Sequence, residues 1–295
     1  MTIEVDGRAV TLSSLEKVLW PEMGFTKGRM LDYYRAVAPT LLPHLHGRPV
    51  TMGRFPDGVE GRGFAQNECR GRPDWLSTEP IRLRNGAVRN YCLVNDLPSL
   101  LWVVNQGSIE LHPYLWLAGE PRPTTLVVDL DPTAPAGLRE CRTVALEARR
   151  VLAADGLEAF VKTSGGAGLH LYVPLDGQAG FEETKKYAGV LAEEVAKRLA
   201  QLVTTRQLRS GRAGKVLVDW LQNDPMRSMV APYSLRATRR PQVSTPVTWD
   251  EVEADDELVF GPDESLERLD QLGDVFRPVL ELRQALPASA SLHSA

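Results

Sequence analysis

The sequence predicts a mixed α/β (α+β) fold, built from an RRM-like βαββαβ core and an N-terminal α/β module. The main observation is that strand-like apolar runs and amphipathic helical patterns alternate between residues 126 and 220 in the order β-α-β-β-α-β. A second is that residues 1–60 contain one helical pattern and one strand-like run. The third is composition, because 295 residues, 43% apolar and 24% charged, are typical of a globular protein with a substantial core.

Charge is distributed unevenly along the chain, although the formal net charge is only −4. Residues 1–240 hold 31 Lys and Arg against 26 Asp and Glu, whereas residues 241–295 hold 3 against 12. The acidic C-terminal part therefore masks a basic body, which suits a phosphate-rich partner. A solvated surface with no such partner is the alternative explanation.

Three further features bear on where the protein works. No apolar run is long enough to span a bilayer, since a Pro-Ser pair interrupts the stretch that starts at Leu97. The first residues lack the basic start and apolar core of a signal peptide. Cys69, Cys92 and Cys141 are odd in number, far apart and without zinc-site spacing, so we expect them to be reduced. These features predict a cytoplasmic protein with no membrane partner.

Two lysines of the N-terminal module are candidate phosphate ligands. Thr26 is a suitable N-cap for a helix from Lys27 to about Val37. Lys27 then lies in the first turn, where the helix dipole disfavours a cation unless an anion is bound there. Lys17 is one short connection away and can join the same anion. The alternative is that both lysines are simply exposed.

The following segments contain two more candidates. Strands are predicted over residues 50–55 and 88–94. Phe64, which follows a glycine, is either part of the core or an exposed platform that stacks on a base. His112 lies in an apolar stretch that also contains several polar groups. It is either a hydrogen-bonded core histidine or a phosphate donor.

The core begins with a strand from Leu126 that ends at Pro132, which has no N–H to continue a ladder. Side chains alternate along a strand, so Asp129 and Asp131 project from the same face. Two ionised carboxylates side by side repel each other, and a divalent cation removes that repulsion. Hard oxygen ligands suit Mg²⁺ or Mn²⁺. The alternative is a carboxylate pair that caps a turn.

The remaining core elements are, in order, a helix over 137–154, a strand over 157–163, a glycine-rich turn over 164–168, a strand over 169–174, a helix over 181–203 and a strand over 215–220. In a βαββαβ fold the first strand lies between the third and the fourth, antiparallel to both. Its C-terminal end therefore faces Asp219 on the fourth strand and the segment from Ser164 to His170.

This convergence predicts phosphate chemistry. The backbone N–H groups of the glycine-rich turn can bind phosphates, and His170 can add a charge-assisted hydrogen bond. Three carboxylates beside such a turn are the groups that two-metal phosphoryl transfer requires.

Three motifs occur in an order and at spacings that resemble a known family. They are Asp129-Leu130-Asp131-Pro132, Ser164-Gly165-Gly166-Ala167-Gly168-Leu169-His170 and Asp219-Trp220-Leu221-Gln222-Asn223. They are accompanied by Leu15-Glu16-Lys17-Val18-Leu19, Arg48-Pro49-Val50-Thr51, Asn105-Gln106, Glu110-Leu111-His112-Pro113 and the segment 230–237. From about Val10 to Leu286 the chain resembles the archaeo-eukaryotic primase superfamily, and more closely the polymerase domain of bacterial ligase D and its stand-alone primase-polymerase relatives. The primase-polymerase fold is what this resemblance implies.

The resemblance also implies a template-dependent nucleotidyltransferase that extends primers at gaps or broken ends and favours ribonucleotides. The residues implied to bind two metal ions, Mn²⁺ or Mg²⁺, are Asp129, Asp131 and Asp219. The residues implied to hold the incoming nucleotide are His112, Ser164, His170 and Arg236. Gly165 and Gly166, through the backbone of the turn, and Gln222 are further candidates for this role. Lys17 and Lys27 would bind the 5′-phosphate on the downstream side of a gap. Phe64 would stack on the template.

The implied partners are gapped or broken DNA with a 5′-phosphate, NTPs and dNTPs, a separate ATP-dependent DNA ligase and Ku, on the bacterial nucleoid. One primase-polymerase catalytic domain is expected over 1–287, with an N-terminal module (1–120), a metal-binding core (121–240), an acidic C-terminal segment (241–287) and a flexible tail (288–295). The chain departs from the family pattern at Ala65 and Asn67, where a second aromatic and a lysine are common. It also departs at Ala167, where a lysine is common.

Two other functions fit parts of the sequence. Asp129 and Asp131 match the motif of phosphatases of the haloacid dehalogenase type, with Asp129 as nucleophile. Such a motif usually opens the fold, whereas 128 residues precede it here, and the later pair Asp255-Asp256 lies in a loop-like context. A catalytically silent DNA-end-binding module is the other alternative. The complete set of three carboxylates argues against it, because phosphate binding requires cations rather than acids.

Overall fold

The computed structural model describes residues 1–208, 210–254 and 257–287. The tail expected at 288–295 and the pair Asp255-Asp256 lie outside the described residues. Within the described ranges, no helix combines the length and the apolar composition needed to cross a membrane.

The described chain contains strands and helices throughout its length. The strands are β1 (Thr2–Val5), β2 (Arg8–Thr11), β3 (Val18–Trp20), β4 (Phe25–Thr26), β5 (Pro49–Arg54), β6 (Phe64–Gln66), β7 (Thr78–Arg82), β8 (Val88–Leu93), β9 (Ser108–Pro113), β10 (Thr125–Pro132), β11 (Phe160–Thr163), β12 (Leu169–Pro174), β13 (Val203–Thr204), β14 (Val216–Asp219), β15 (Leu235–Arg236), β16 (Gln242–Val243) and β17 (Pro246–Val247). The α-helices are α1 (Lys27–Leu45), α2 (Leu97–Asn105), α3 (Leu138–Ala154), α4 (Phe181–Arg198), α5 (Trp249–Glu253), α6 (Pro262–Leu272) and α7 (Pro278–Glu281).

The chain divides into two units, each made of several segments. The segments of the first unit are Met1–Glu120, Ser228–Ser244 and Phe260–Gly273. The segments of the second unit are Pro121–Arg227, Thr245–Val259 and Asp274–Ala295. The expected organisation as one catalytic domain with three consecutive parts stays a prediction.

The second unit is built on a six-stranded sheet with the order β13-β14-β10-β12-β11-β17. The βαββαβ core occupies its centre, where β10 lies between β12 and β14 and runs antiparallel to both. Along β10, the buried Val128 and Leu130 alternate with the two aspartates. Helices α3 and α4 pack against this sheet and against each other. The predicted mixed α/β fold with an RRM-like core is therefore confirmed.

The first unit contains a five-stranded sheet in which β5 pairs with β6, β8 and β9, and β7 pairs with β8. Helices α1 and α2 pack together. The core of this unit includes Trp20 and Tyr34, both fully buried. The hydroxyl of Tyr34 donates to the carbonyl of Ile109 at 2.6 Å, which ties α1 to β9. Because a buried hydroxyl without a partner is costly, this bond fixes the position of the helix.

Helix α1 is longer than predicted. Thr26 caps it as expected, with Oγ1 accepting from the N–H of Arg29 at 3.2 Å. It does not end near Val37 but continues to Leu45 through two prolines. The buried apolar face continues as far as Leu45, and this burial outweighs the loss of the prolines' hydrogen bonds.

Two other helices also differ from expectation. Helix α4 ends at Arg198 rather than near Val203, because Val203 pairs with Val216 as a short parallel strand. Helix α2 was not predicted, although Asp96 caps it by accepting from the N–H of Ser99 at 2.9 Å. Its nine residues are nearly all apolar and buried, so they lack the amphipathic pattern of a surface helix.

The expectation that all three cysteines are reduced is wrong for two of them. Cys69 and Cys92 form a disulfide. The N–H of Cys69 donates to the carbonyl of Asn90 at 2.7 Å, which holds its loop beside β8. The two Cα atoms are thereby 5.1 Å apart, within the usual range for a disulfide. Cys141 is free and buried on α3.

Candidate active site

A row of four polar residues crosses the central strands of the second unit. The register pairs Lys162 on β11 with His170 on β12, His170 with Asp129 on β10, and Asp129 with Asp219 on β14. Residues directly opposite on neighbouring strands project from the same face of a sheet. We call this set the polar row. It brings three of the predicted site residues together and adds Lys162, which the sequence analysis did not select.

The two carboxylates of the polar row are joined by an amide. Gln222 Nε2 donates to Asp219 Oδ2 at 3.0 Å and to Asp129 Oδ2 at 3.3 Å. Asp219 Oδ1 accepts from Gln207 Nε2 at 2.9 Å and from the N–H of Leu221 at 3.0 Å. Burial raises the pKa of Asp219, and the charge of Asp129 raises it further. Two mutually repelling carboxylates are thus held together with a neutral amide between them.

Asp129 is stabilised as an anion from its other side. Burial alone would raise its pKa. The charge of His170 and the hydrogen bond from it outweigh burial, and the charge of Lys162 and the hydrogen bond from Gln222 add to their effect. The pKa of Asp129 therefore lies below its ordinary value. His170 Nε2 lies 3.2 Å from Asp129 Oδ1, and Lys162 Nζ lies 2.9 Å from His170 Nδ1. Asp129 is therefore ionised at neutral pH, as a metal ligand must be.

The third predicted carboxylate, Asp131, is exposed at the end of β10, opposite Leu217 of β14. Its charge also acts on Cys141. Burial raises the pKa of this thiol, and Asp131 raises it further. Cys141 is consequently a neutral thiol at neutral pH.

The donor set suits a divalent cation. Its oxygens are hard ligands, and the repulsion between Asp129 and Asp219 would be relieved by a cation. In the part of the chain that the structure describes, no group of three or more His, Cys, Asp or Glu side chains is arranged to hold a metal ion as it stands. The amides of Gln207 and Gln222 hydrogen-bond the carboxylates, so these contacts must rearrange when a cation binds.

The glycine-rich turn packs closely against β10, the strand that carries Asp129 and Asp131. Ser164 Oγ accepts from the N–H groups of Gly166 and Gly168, each at 3.1 Å. A Cβ at Gly168 would lie 2.2 Å from the carbonyl oxygen of Leu130, so only glycine fits. Gly165 has a φ of 68°, which also favours glycine. Because the N–H of Gly166 already has a partner, a phosphate would compete with Ser164 for it.

In the first unit, Glu110 links two other predicted nucleotide ligands. Its carboxylate contacts His112 Nε2 at 2.9 Å and Arg236 Nε at 3.4 Å. It also accepts from the N–H of Ala237 at 3.0 Å. Burial would raise the pKa of Glu110. The opposing effects, of which the hydrogen bond from His112 and the charge of Arg236 are the largest, lower this pKa to about 2. Gly53, opposite on β5, leaves room for this carboxylate.

Glu110→Gln is expected to reduce stability in a pH-dependent way. The folded state keeps Glu110 ionised down to pH about 2, whereas an unfolded chain protonates it near 4.5. This difference is worth roughly 3 kcal/mol above pH 5 and is lost as the pH falls from 5 to 2. Denaturant unfolding of both proteins at several pH values measures it. The exposed Glu60→Gln variant is the control and should show no such trend. A difference in unfolding free energy between wild type and Glu110→Gln that widens on acidification would contradict the lowered pKa of Glu110.

An open pocket of about 390 Å³ lies beside this group in the first unit. Its lining includes Phe64, Ala65, Glu110 and His112. Phe64 is 47% exposed, so it does not belong to the buried core, and its stacking on a base stays a prediction. The guanidinium of Arg54 lies 5.5 Å from its ring centroid and holds the ring from one side.

The two lysines predicted to bind a 5′-phosphate are close to each other in the first unit. The N–H of Lys27 donates to the carbonyl of Lys17 at 2.8 Å. Burial lowers the pKa of Lys27, and the charges of Lys17 and Arg54 lower it further. The N–H groups of Lys27 and Gly28 both bond to backbone carbonyls, so they are not available to an anion. The ammonium groups also have partners, because Lys27 Nζ donates to the carbonyl of Ser13 at 2.6 Å and Lys17 Nζ to Asp57 Oδ1 at 3.0 Å. Lys27 is buried, so the alternative of two exposed lysines is wrong for this residue.

Comparison with known proteins identifies the family to which the chain belongs. Residues 26–276 match the family model described as LigD, primase-polymerase domain. The chain belongs to this family. It is 40% identical over 279 residues to the multifunctional non-homologous end joining protein LigD of Mycolicibacterium smegmatis, covering 92% of this chain and 36% of that protein. It is 30% identical over 283 residues to the bifunctional LigD of Bacillus subtilis, covering 95% of this chain and 46% of that protein.

A solved structure gives the same result for the fold. The polymerase domain of Mycobacterium tuberculosis ligase D, in complex with DNA, matches with a TM-score of 0.88 and 35% identity. The match covers 93% of this chain and 99% of that domain. The chain therefore spans about the length of a LigD polymerase domain, but less than half the length of the two LigD proteins.

Membership in the LigD primase-polymerase family implies a nucleotidyltransferase, that is, a polymerase activity. LigD polymerase domains generally need divalent metals. The family match does not favour the phosphatase or the catalytically silent module. Roles of individual residues in this chain stay predictions.

Three residues that the structure places at these groups were not selected from the sequence. Lys162 and Glu110 were missed because a charged residue in a strand usually points to solvent. The alternation of Glu110 and His112 on β9 was a signal that they share a face. Gln207 lies in a segment without a strand or helix pattern, so the sequence held no signal for its contact with Asp219.

Proposed function

We propose that this LigD-type domain fills gaps and extends ends at DNA breaks, adding nucleotides to a primer 3′-hydroxyl opposite a template. The observation that carries the proposal is the pairing of Asp129 with Asp219 in the polar row. Partly buried carboxylates held side by side favour a bound cation, and metal-assisted phosphoryl transfer is the chemistry that such a site supports.

Asp129, Asp131 and Asp219 are the proposed ligands of two ions, Mg²⁺ or Mn²⁺. Ions bound there would supply Lewis-acid chemistry, polarising the primer 3′-hydroxyl and neutralising the charge of the triphosphate. The chain's own part is to orient these ligands, and His170 does so by contacting Asp129. The residues proposed to bind the nucleotide are His112, Ser164, Gly165, Gly166, His170, Gln222 and Arg236.

The proposed DNA substrate is a gap or broken end that carries a 5′-phosphate. Lys17 and Lys27 bind this phosphate, and Phe64, exposed beside the pocket of the first unit, stacks on the template. The LigD relatives are end joining proteins, and the solved polymerase domain is bound to DNA. We therefore propose a role in end joining on the bacterial nucleoid, with Ku and an ATP-dependent DNA ligase as partners.

A primer-extension assay on a gapped duplex with a 5′-phosphate tests the proposal. With Mn²⁺ or Mg²⁺, we expect template-directed addition, and faster addition of ribonucleotides than of deoxyribonucleotides. Polar groups such as Gln222 can contact the 2′-hydroxyl that distinguishes the two sugars. Equal efficiencies under matched conditions would contradict the sugar preference alone. No extension with either ion would contradict the proposed function.

Substitution of the two lysines tests the proposed phosphate site. We expect Lys17→Ala and Lys27→Ala each to weaken binding to a 5′-phosphorylated gap by roughly 1.5–3 kcal/mol, with little effect on a 5′-hydroxyl gap. Binding titrations on the two DNAs give this difference. Lys197→Ala, at an exposed position of α4, is the control for general charge. Equal losses on both DNAs would show that the lysines supply only nonspecific attraction.

A further inference from the structure

The carboxylate of Glu110 contacts two residues that are proposed to bind the nucleotide, with a different oxygen for each. Oε2 lies 2.9 Å from His112 Nε2, and Oε1 lies 3.4 Å from Arg236 Nε. Oε1 also accepts from the N–H of Ala237, the residue after Arg236, at 3.0 Å. The side chain of Glu110 is only 15% exposed, so water screens these contacts little. Hydrogen bonds and ion pairs made by a charged group in such a place hold their partners firmly.

Each of these contacts uses one nitrogen and leaves the others unused. An ionised carboxylate only accepts hydrogen bonds, so His112 Nε2 carries a hydrogen whether the ring is neutral or protonated. Arg236 meets the carboxylate through Nε, which is buried. Among the described residues, none makes a hydrogen bond to His112 Nδ1 or to the two terminal guanidinium nitrogens of Arg236. These nitrogens are available to a ligand, and the open pocket of about 390 Å³ is lined by His112.

Gly53 on β5 leaves the space that Glu110 occupies. The two residues are directly opposite each other in the register of β5 and β9. A Cβ on residue 53 would lie 2.8 Å from Glu110 Cβ and 3.2 Å from Oε2, the oxygen that contacts His112. Carbon atoms pack at about 3.5–4.0 Å, so any larger residue at position 53 would displace the glutamate. The glycine is therefore part of what places the carboxylate.

We propose that Glu110 is a positioning residue for the incoming nucleotide: it fixes one nitrogen of His112 and one of Arg236, so that their remaining nitrogens bind the phosphates. This inference rests on the proposed function, in which both partners bind the nucleotide. Glu110 itself does not touch the nucleotide. An anion close to a phosphate repels it, so any gain in affinity must come through the two donors that the carboxylate orients. Donors that are already oriented lose less conformational freedom when a ligand binds.

A double-mutant cycle tests whether Glu110 acts through its two partners. The measured quantity is the Kd of a nucleoside triphosphate whose α and β phosphorus atoms are bridged by a methylene group, so that it binds but is not incorporated. Glu110→Gln has one acceptor oxygen instead of two and cannot hold both partners. We expect it to raise this Kd about 10–100-fold, the effect of one lost charge-assisted contact, with binding of gapped DNA unchanged. In the His112→Gln background and in the Arg236→Met background, the same substitution should raise the Kd by a clearly smaller factor, because one of the two routes is already lost.

Gly53→Ala separates the position of the carboxylate from its charge. This variant keeps Glu110 ionised but displaces it from His112, and we expect the Kd of the nucleotide to rise about 10-fold or more. Ile81→Ala is the control for lost stability, since it removes most of a buried side chain from β7. In the sheet, β8 and β5 lie between β7 and β9, so this variant should bind the nucleotide as wild type does.

The outcomes separate this inference from the proposed function. An unchanged or lower Kd in Glu110→Gln, or an equal factor in all three backgrounds, would overturn the positioning role, whereas primer extension by the wild type would still support the function. A wild-type protein that neither binds the nucleotide nor extends primers would overturn both. If Glu110→Gln does not fold, Gly53→Ala takes its place in the cycle, and an equal factor in the three backgrounds again decides against the inference.

Discussion

Replacing Asp129, Asp131 or Asp219 by Ala is expected to lower the rate of primer extension by about 10³-fold or more. Each carboxylate is a proposed ligand of the ions that stabilise the charge of the transition state, and losing such a ligand costs several kcal/mol of barrier. Binding of gapped DNA should survive, because cations rather than carboxylates hold phosphates. Single-turnover extension and DNA titration measure the two properties separately.

The three variants should differ in stability. Asp129→Ala leaves the buried Lys162 and His170 without their anion, whereas Asp131 is exposed. We therefore expect the first to unfold more readily than the second. Asp250→Ala, at an exposed position of α5, is the matched control and should extend primers normally. A fully active Asp219→Ala variant, or a phosphate trapped covalently on Asp129, would favour the phosphatase over the polymerase.

Gly168→Ala is expected to have the second largest effect although it adds only one methyl group. The new Cβ would lie 2.2 Å from the carbonyl oxygen of Leu130, which lies between the two aspartates of β10. Either the turn or the strand must move, at a cost of roughly 1–3 kcal/mol in stability. A displacement of about 1 Å at a reacting group can lower a rate by about 10²-fold. Thermal unfolding and extension kinetics of the purified variant measure both effects.

The same turn supplies a matched control. In Gly166→Ala the nearest heavy atom to the new Cβ is Ser164 Oγ at 3.4 Å, an ordinary contact. This variant keeps the backbone N–H through which residue 166 is proposed to bind the nucleotide, and it should unfold at nearly the same temperature as wild type, which makes it the control for stability. Equal losses in the two variants would mean that backbone freedom of the turn, and not its close approach to Leu130, is what the site requires.

The central strands of the sheet in the second unit could be predicted because the information that defines them is local. Apolar runs that end at proline or glycine define its strands, and the rules for a βαββαβ fold then place β10 beside β12 and β14. The meeting of Asp129 with His170 and Asp219 follows from that order. The sequence motifs added the family, which the comparisons confirmed.

What could not be predicted depends on contacts between distant parts of the chain. The roles of Lys162 and Glu110 depend on what faces them across a strand pair, and neither register is visible in the sequence. The disulfide depends on a loop lying beside β8. The last turns of α1 contain two prolines, and only tertiary burial keeps them helical.

The polar row also bears on the stage of biosynthesis at which polymerase activity could first appear. Asp129 and Asp219 are direct neighbours in the sheet but 90 positions apart in the chain. Asp129, Lys162 and His170 therefore leave the ribosome well before the strand that completes their row. If Asp219 is a metal ligand as proposed, a nascent or truncated chain that stops before β14 lacks polymerase activity even when its earlier strands have paired. In a refolding experiment, the rate at which extension activity returns would report the rate at which β10 pairs with β14. This pairing is a long-range step and is intrinsically slow.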